Sequence, residues 1–215
     1  MLARRKAEPT DDLTSALLAA EVDGDRLTDD EITGFLFLMV VAGNETTTKL
    51  LGNALYWGWR NPDQGAKPFA DPGRIPMWVE ETLRYDTSSQ MLARVTTCDY
   101  RLHDVTIPAG ERVLLLAGSA NRDHRVFDAP DRYDLDRVEP LPQLASFGFG
   151  RHFCMGASLA RLEARVALEE LTSAYSDYDL DPGGLERVHS VNVRGFSAMP
   201  LALTPRAEPL VLEPR

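Results

Sequence analysis

The stretch Phe147-Gly148-Phe149-Gly150-Arg151-His152-Phe153-Cys154-Met155-Gly156-Ala157-Ser158-Leu159-Ala160-Arg161 carries the strongest signal in the sequence. It places a cysteine at the end of a glycine-rich, aromatic loop, directly before a predicted helix. Glycines permit tight backbone turns and the close approach of a bulky group. Because the positive end of a helix dipole stabilises negative charge, Cys154 is a candidate thiolate ligand for iron.

The loop alone leaves other roles for Cys154 open. A lone free cysteine is most often a buried, inert core residue. A nucleophilic thiol paired with His152 is another possibility, from a different functional class. Zinc is disfavoured, because His103, His124 and His189 lie at no ligand-like spacing from Cys154 and the sequence contains no Cys-x-x-Cys motif.

The composition is typical of a soluble globular protein. Charged residues make up 26% and hydrophobic residues 44% of the 215 residues, enough for one domain with a sizeable core. The formal net charge of −10 argues against nucleic acid as a partner. The two cysteines favour a reducing compartment, and the sequence shows neither a signal peptide pattern nor an apolar run of membrane-spanning length. We therefore expect a cytoplasmic protein without a membrane span.

A long helix is predicted from residue 28 to about residue 60. Thr28-Asp29-Asp30-Glu31 is a capping box, and Asn61-Pro62 ends the helix. Residues 35–42 are apolar on every face, so we expect them to run through a core. The pattern then breaks at Ala42-Gly43-Asn44-Glu45-Thr46. This break is typical either of a junction between two helices or of a helix opened beside a reaction centre, with an acid and a hydroxyl for proton delivery.

The other segments give coarser predictions. Helices are expected over residues 11–22, 76–85 and 157–175, with a short one over 61–75 that Gly65 and Pro68 weaken. Strands are expected over residues 90–97, 100–107 and 112–116, a charged loop over 121–136, and a final hairpin over 188–203. Glu81 and Arg84 lie three residues apart on one helical face.

Taken together, these stretches resemble the cytochrome P-450 (haem-thiolate monooxygenase) family, most closely its soluble bacterial members. Four motifs occur in the family's order: Ala42-Gly43-x-Glu45-Thr46, Glu81-x-x-Arg84, Pro130-x-Arg132-Tyr133, and Phe147-Gly148-x-Gly150-x-His152-x-Cys154-x-Gly156. The resemblance runs from about residue 8 to about residue 204. It implies a mainly α fold with small β-sheets.

Family members carry further helices before the equivalent of residue 1. The resemblance therefore implies that residues 1–215 form the C-terminal part of a cytochrome P-450 domain, with residues 206–215 as a tail.

The resemblance also implies a role for each motif. Cys154 would be the axial ligand of the iron of haem b (iron protoporphyrin IX). The implied cofactor-binding residues are Cys154, His152, Arg94, Phe147, Gly148, Gly150, Gly156, Ala42 and Gly43, with Arg94 and His152 at positions that resemble haem-propionate contacts. Thr46, with Glu45, would deliver protons during oxygen activation. Glu81, Arg84 and Arg132 would form a buried charge network that holds the scaffold of the haem loop.

The implied activity is insertion of one atom of O2 into a small, apolar organic substrate. Electrons would come from NAD(P)H through a ferredoxin-type partner that docks near Arg151, Arg161 and Arg165. The substrate pocket would include the helix near Val41 and Ala42, residues 88–92 and the turn near Phe196. The alternative is a truncated, catalytically incompetent haem-binding fragment, because the preceding helices of the family are missing.

Overall fold

The computed structural model describes residues 2–138 and 141–210, and the chain divides into two compact units, Met1–Glu45 and Thr46–Arg215. The α-helices are α1 (Leu2–Ala7), α2 (Leu13–Ala19), α3 (Asp29–Arg60), α4 (Pro62–Ala70), α5 (Ile75–Tyr85), α6 (Ala117–Ala120) and α7 (Ala157–Ala174). The strands are β1 (Glu21–Val22), β2 (Asp25–Arg26), β3 (Leu92–Val95), β4 (Tyr100–Leu102), β5 (Val105–Ile107), β6 (Arg112–Leu115), β7 (Tyr175–Leu180), β8 (Glu186–Arg187), β9 (Phe196–Ala198) and β10 (Leu201–Pro205). The expectation of a mainly α fold with small sheets is confirmed.

The first unit contains α1, α2, the hairpin of β1 with β2, and the N-terminal part of α3. The predicted capping box is present. The Thr28 N–H donates to Glu31 Oε2 at 2.7 Å, and the Glu31 N–H donates back to Thr28 Oγ1 at 3.3 Å. The bond from the Thr28 backbone lowers the pKa of the Glu31 carboxyl below its ordinary value, because it stabilises the charged form.

Helix α3 is continuous through Gly43 and Asn44, so this segment is not a junction between two helices. The prediction that residues 35–42 run through a core is wrong for this chain. Phe37 and Val40 are each 70% exposed, and Val41 is 49% exposed. A helix that is apolar on every face needs cover on every side. The residues described here do not supply that cover.

Helix α5 lies at the centre of the second unit's core. Its side chains Ile75 and Trp78 are fully buried, and Trp78 Nε1–H donates to the Ala54 carbonyl at 3.1 Å. Helix α7 packs against it and buries Ala164 and Leu168 in the same core. Burial of this kind stabilises a domain by roughly 25 cal/mol per Å² of apolar surface. The packing of α5 on α7 therefore fixes the element that follows the cysteine loop.

Helix α4 forms although Gly65 and Pro68 weaken its local propensity. A Cβ at Gly65 would lie 2.4 Å from the Gly58 carbonyl oxygen, so the end of α3 and the start of α4 approach more closely than any side chain allows. Gly65 therefore serves the packing of these two helices, which offsets its cost of roughly 1 kcal/mol in helix propensity.

The strands form antiparallel pairs, which join β3 to β6, β4 to β5, β7 to β10 and β8 to β9. The pair of β3 with β6 lies within the predicted strands 90–97 and 112–116. The prediction of one strand over residues 100–107 is wrong, because β4 and β5 form a tight hairpin with Tyr100 opposite Ile107. The prediction of one hairpin over residues 188–203 is wrong, because β10 pairs with β7 and β9 pairs with β8. Strand β7 buries Tyr178 and Leu180 at alternate positions, but its partner lies about twenty residues further along the chain. Hydrophobic alternation does not identify such a distant partner.

Within residues 2–138 and 141–210, no helix combines the length and the hydropathy that crossing a membrane requires.

Candidate functional site

The cysteine loop, residues 147–156, leads from a 3₁₀ turn at Ala145–Phe147 to the N-terminus of α7. Gly148 and Gly150 have φ angles of 71° and 65°, in the left-handed region that strains other residues. The Cys154 N–H donates to the Phe147 carbonyl at 2.9 Å and so closes the loop. The Cys154 side chain is exposed and forms no disulfide, which excludes the buried, inert core role in this chain.

The loop residues fit a haem group. Every residue from 149 to 155 is exposed, so the accessible Cys154 thiol is flanked in sequence by the exposed apolar side chains Phe149, Phe153 and Met155. Across the part of the chain that the structure describes, no group of three or more His, Cys, Asp or Glu is placed to hold a metal ion. A single soft sulfur donor with apolar neighbours suits an iron whose remaining ligands come from a macrocycle.

Helix α5 carries a buried ion pair between Glu81 and Arg84. Glu81 and Arg84 have no exposed side-chain surface, and they meet through Nε–Oε2 at 2.7 Å and Nη2–Oε1 at 2.8 Å. The Arg84 guanidinium also donates to the carbonyls of Asn121, Pro130 and Arg132. This confirms the predicted pair. A buried pair offsets its desolvation cost only when its remaining donors are bonded, as they are here.

The second arginine on Glu81 is Arg137 and not Arg132. Arg137 Nε donates to Glu81 Oε2 at 2.9 Å. The Arg132 side chain is 63% exposed and lies 3.6 Å from Asp134. Arg132 contributes only its backbone carbonyl, which accepts from Arg84 and Arg137. The prediction for the Arg132 side chain is therefore wrong.

The error has a physical cause. Residues 130–137 form an irregular segment in which the Asp134 N–H donates to Glu81 Oε1 at 2.9 Å. In such a segment, the spacing of residues does not determine which side chains point inward, because no fixed period relates them. The sequence signal for Arg137 was only that a second arginine follows Arg132 by five residues.

Tyr133 joins the same region to α5. Its side chain is buried, and its hydroxyl shares a 2.8 Å hydrogen bond with the Thr82 hydroxyl. Burial raises the pKa of Tyr133 well above its ordinary value, so the ring stays neutral. The buried Tyr133 hydroxyl thus has a specific hydrogen-bond partner.

The residues of the predicted oxygen-activation motif all lie on α3. Ala42, Gly43 and Glu45 belong to the first unit and are exposed, and a Cβ at Gly43 would meet no described atom within 4 Å. Thr46 is the first residue of the second unit. Its carbonyl accepts a hydrogen bond from the Ser88 hydroxyl at 2.8 Å. Thr46 is thereby tied to one of the segments that we expect to line the substrate pocket.

The second and third of these expected pocket segments are neighbours. The Arg194 N–H donates to the Ser88 carbonyl at 2.8 Å, and the Gln90 N–H donates to the Asn192 carbonyl at 2.8 Å. The segment before β9 therefore runs beside residues 88–90.

A cluster around Asp86 holds this arrangement, and no pattern in the sequence predicts it. The Asp86 carboxylate is buried and accepts from Trp57 Nε1 at 2.7 Å and from Arg194 Nε at 2.6 Å. Arg187 lies 3.8 Å away and covers the Phe196 ring. No sequence signal links these residues, since they are separated by up to about 140 positions.

The two predicted propionate contacts, Arg94 and His152, are both exposed. Arg94 lies on β3, and its Nη1 donates to the neighbouring Ala93 carbonyl at 2.8 Å. His152 ends the 3₁₀ turn Gly150–His152 within the loop. No hydrogen bond or ion pair between described residues brings Arg94 to the loop, so the two assignments stay predictions.

The three predicted docking arginines differ in their surroundings. Arg151 is exposed. Arg161 forms an ion pair with Glu80, and Arg165 lies 3.4 Å from Glu169 on the same helix. Arg151 is therefore the member of this group whose charge is most available to a partner.

Comparisons with known proteins agree with this geometry. A sequence profile of the cytochrome P450 family matches residues 75–180. Putative cytochrome P450 123 of Mycobacterium tuberculosis is 60% identical over 206 residues, which are 96% of this chain and 51% of that protein. The chain thus spans about half the length of this curated relative.

Solved structures show the same partial match. Cytochrome P450 CYP109Q5 from Chondromyces apiculatus superposes with a TM-score of 0.90 at 43% identity, over 96% of this chain and 53% of that one. CYP109E1 from Bacillus megaterium, solved in complex with testosterone, superposes with a TM-score of 0.86 at 37% identity, over 93% of this chain and 55% of that one. The chain therefore belongs to the cytochrome P450 family and corresponds to a C-terminal portion of its fold.

Proposed function

We propose that the chain is part of a haem-thiolate monooxygenase that inserts one atom of O2 into a small, apolar organic substrate. The observation that carries the proposal is the accessible Cys154 thiol, held by a glycine loop at the start of α7. When bound, haem b would supply the iron at which molecular oxygen is activated. The testosterone complex of a relative supports an apolar substrate, since a steroid is largely hydrocarbon.

The chain's own residues would divide the work. The Cys154 sulfur would hold the iron. Phe149 and Phe153 would keep water away from the bond between this sulfur and the iron. Thr46 and Glu45 would move protons from solvent, because a hydroxyl next to a carboxylate can relay them. Arg94 and His152 would bind the propionates through charge-assisted hydrogen bonds. The Glu81 network would hold the scaffold and touch no reacting atom.

Two electrons are required for each oxygen atom inserted, and we propose that a ferredoxin-type protein delivers them from NAD(P)H. The proposed docking site comprises Arg151, Arg161 and Arg165, a basic group on a chain of net charge −10. Attraction between this group and an acidic partner would accelerate encounter and weaken as salt is added. Because Arg161 and Arg165 already pair with glutamates, Arg151 would contribute most to this steering.

The proposal is tested by loading the chain with haem, reducing it and adding carbon monoxide. We expect the absorption spectrum of a thiolate-ligated haem. A chain that takes up no haem would contradict the proposal. Haem uptake without oxygenated product, in the presence of a ferredoxin system and an apolar substrate, would instead identify the incompetent haem-binding fragment. Activity without haem would favour a thiol enzyme that uses Cys154 and His152.

Substitution of Thr46 tests its proposed role in proton delivery. In the haem-loaded chain, Thr46→Ala should leave the haem spectrum unchanged. Product formed per NAD(P)H oxidised should fall by at least about tenfold, because a positioned proton donor contributes that much or more. The consumed electrons should appear as hydrogen peroxide. Thr47→Ala, one position further along the same helix, is the matched control. Unchanged coupling in Thr46→Ala would remove Thr46 from the mechanism.

A further inference from the structure

The cysteine loop has few internal anchors. Residues 149–155 are all exposed, and Gly148 and Gly150 supply no side chain for packing. Glycines also have the most conformational freedom to lose on ordering. The Phe147 carbonyl, which accepts the Cys154 N–H at 2.9 Å, is the point where the loop closes on itself. Cys154 is therefore held by the position of Phe147 together with the first turn of α7, where the Ala157 N–H donates to the Cys154 carbonyl at 3.2 Å.

Arg161 contacts Phe147 from α7. Its guanidinium carbon lies 4.6 Å from the centroid of the Phe147 ring, within the range of a cation–π contact. The Phe153 ring lies 6.4 Å from the Phe147 ring. The start of the loop is thus in contact with a cation and a second aromatic side chain.

Glu80 fixes the Arg161 guanidinium in turn. Arg161 Nε pairs with Glu80 Oε1, and its Nη2 donates to Glu80 Oε2 at 3.1 Å. Its Nη1 lies 3.4 Å from the Ala157 carbonyl in the first turn of α7. A planar guanidinium can hold a carboxylate at two points while its face covers a ring, which an ammonium cannot do.

The contacts form a continuous path from the buried network to the cysteine. Glu80 precedes Glu81 on α5, so the helix that carries the Glu81–Arg84 pair also presents the carboxylate that orients Arg161. From Arg161 the path passes to the Phe147 ring, and from the Phe147 carbonyl to the Cys154 N–H.

We infer that Arg161 is a positioning residue, which clamps Phe147 between α5 and α7 and thereby holds Cys154 in place. The clamp itself is a property of the chain without haem. Only its consequence, that Cys154 is held in position to bind iron, rests on the proposed function. The clamp gives Arg161 a task distinct from partner docking, which Arg151 serves with its exposed charge.

A groove of about 360 Å³, lined by Met77, Glu80, Leu144, Phe147, Phe153 and Arg161, runs beside these contacts. Glu80 and Arg161 are each about one-third exposed, so replacing the arginine leaves no charge buried and the chain should still fold.

Amide hydrogen exchange of the chain without haem tests the clamp, because local exchange reports local opening. In Arg161→Gln, exchange in the peptide covering residues 148–156 should accelerate about three- to tenfold, from loss of a cation–π contact and a partly exposed ion pair. Exchange in residues 166–174 of α7 should not change. Arg165→Gln, which removes only the pair with Glu169 one turn further on, is the matched control and should leave the loop unaffected.

Arg161→Lys keeps the charge but not the planar group, so its loop exchange should lie between that of the wild type and that of Arg161→Gln. Full protection in Arg161→Lys would overturn the requirement for a planar guanidinium in the clamp. Unchanged loop exchange in Arg161→Gln, or an equal acceleration throughout α7, would overturn the clamp. Accelerated loop exchange in a chain that never binds haem would sustain the clamp and refute the proposed function, so the two failures are distinguishable.

Discussion

Cys154→Ser should abolish the thiolate-ligated haem spectrum of the reduced, carbon monoxide-treated chain. A serine hydroxyl is a hard, weakly acidic donor and does not replace a thiolate on iron. The fold should survive, because the Cys154 side chain is exposed and the bond that closes the loop comes from its backbone N–H. Loss of the spectrum would therefore report the ligand and not unfolding.

Cys98 provides the matched control. It is the second free cysteine and is also exposed, so its thiol is also accessible. Cys98→Ser should retain the spectrum in full. Survival of the thiolate spectrum in Cys154→Ser, or its loss in Cys98→Ser, would mean that the assigned ligand is wrong. Circular dichroism of both variants should match that of the wild type.

Local signals in the sequence were sufficient to place the cysteine loop and its neighbours. The glycines around Cys154, the capping box at Thr28 and the Glu81–Arg84 spacing each rest on contacts within a few residues. A helical period brings residues three apart onto one face, so the ion pair on α5 could be predicted without knowing what packs against it.

Contacts between distant residues were not predictable in this way. The Asp86 cluster joins Trp57, Arg187 and Arg194, and no periodicity relates these positions.

The apolar residues 35–42 show the opposite case, in which a clear local pattern does not determine whether the residues are buried. Their pattern favours burial, but it does not show whether this chain supplies the cover. Phe37 and Val40 are largely exposed because the residues described here do not cover them.

Arg137 and Arg132 should differ strongly in how much each side chain contributes to the free energy of unfolding. Arg137→Gln should lower the free energy of unfolding by about 2 kcal/mol or more, because Glu81 keeps Arg84 but loses its second guanidinium partner, and a hydrogen bond to a charged group contributes about 1.5–3 kcal/mol. Arg137 donates to Glu81 and also to the carbonyls of Asp128, Ala129 and Arg132 at 2.7–2.9 Å. A glutamine cannot replace all of these donors, so carbonyl groups in this segment would lose their partners.

Arg132→Gln is the matched control within the same segment. It removes the same charge from a side chain that is 63% exposed and pairs only with Asp134, at 3.6 Å. Surface pairs of this kind contribute roughly 0–1 kcal/mol, so the free energy of unfolding should fall by less than about 1 kcal/mol. Urea unfolding followed by tryptophan fluorescence measures both variants, since Trp57, Trp59 and Trp78 all lie in the second unit. Equal destabilisation by the two substitutions would show that Arg132, and not only Arg137, holds Glu81. A large loss of unfolding free energy in Arg137→Gln alone would establish that Arg137 supplies the charge that pairs with Glu81. Arg132, the arginine of the motif, would then contribute only its backbone carbonyl.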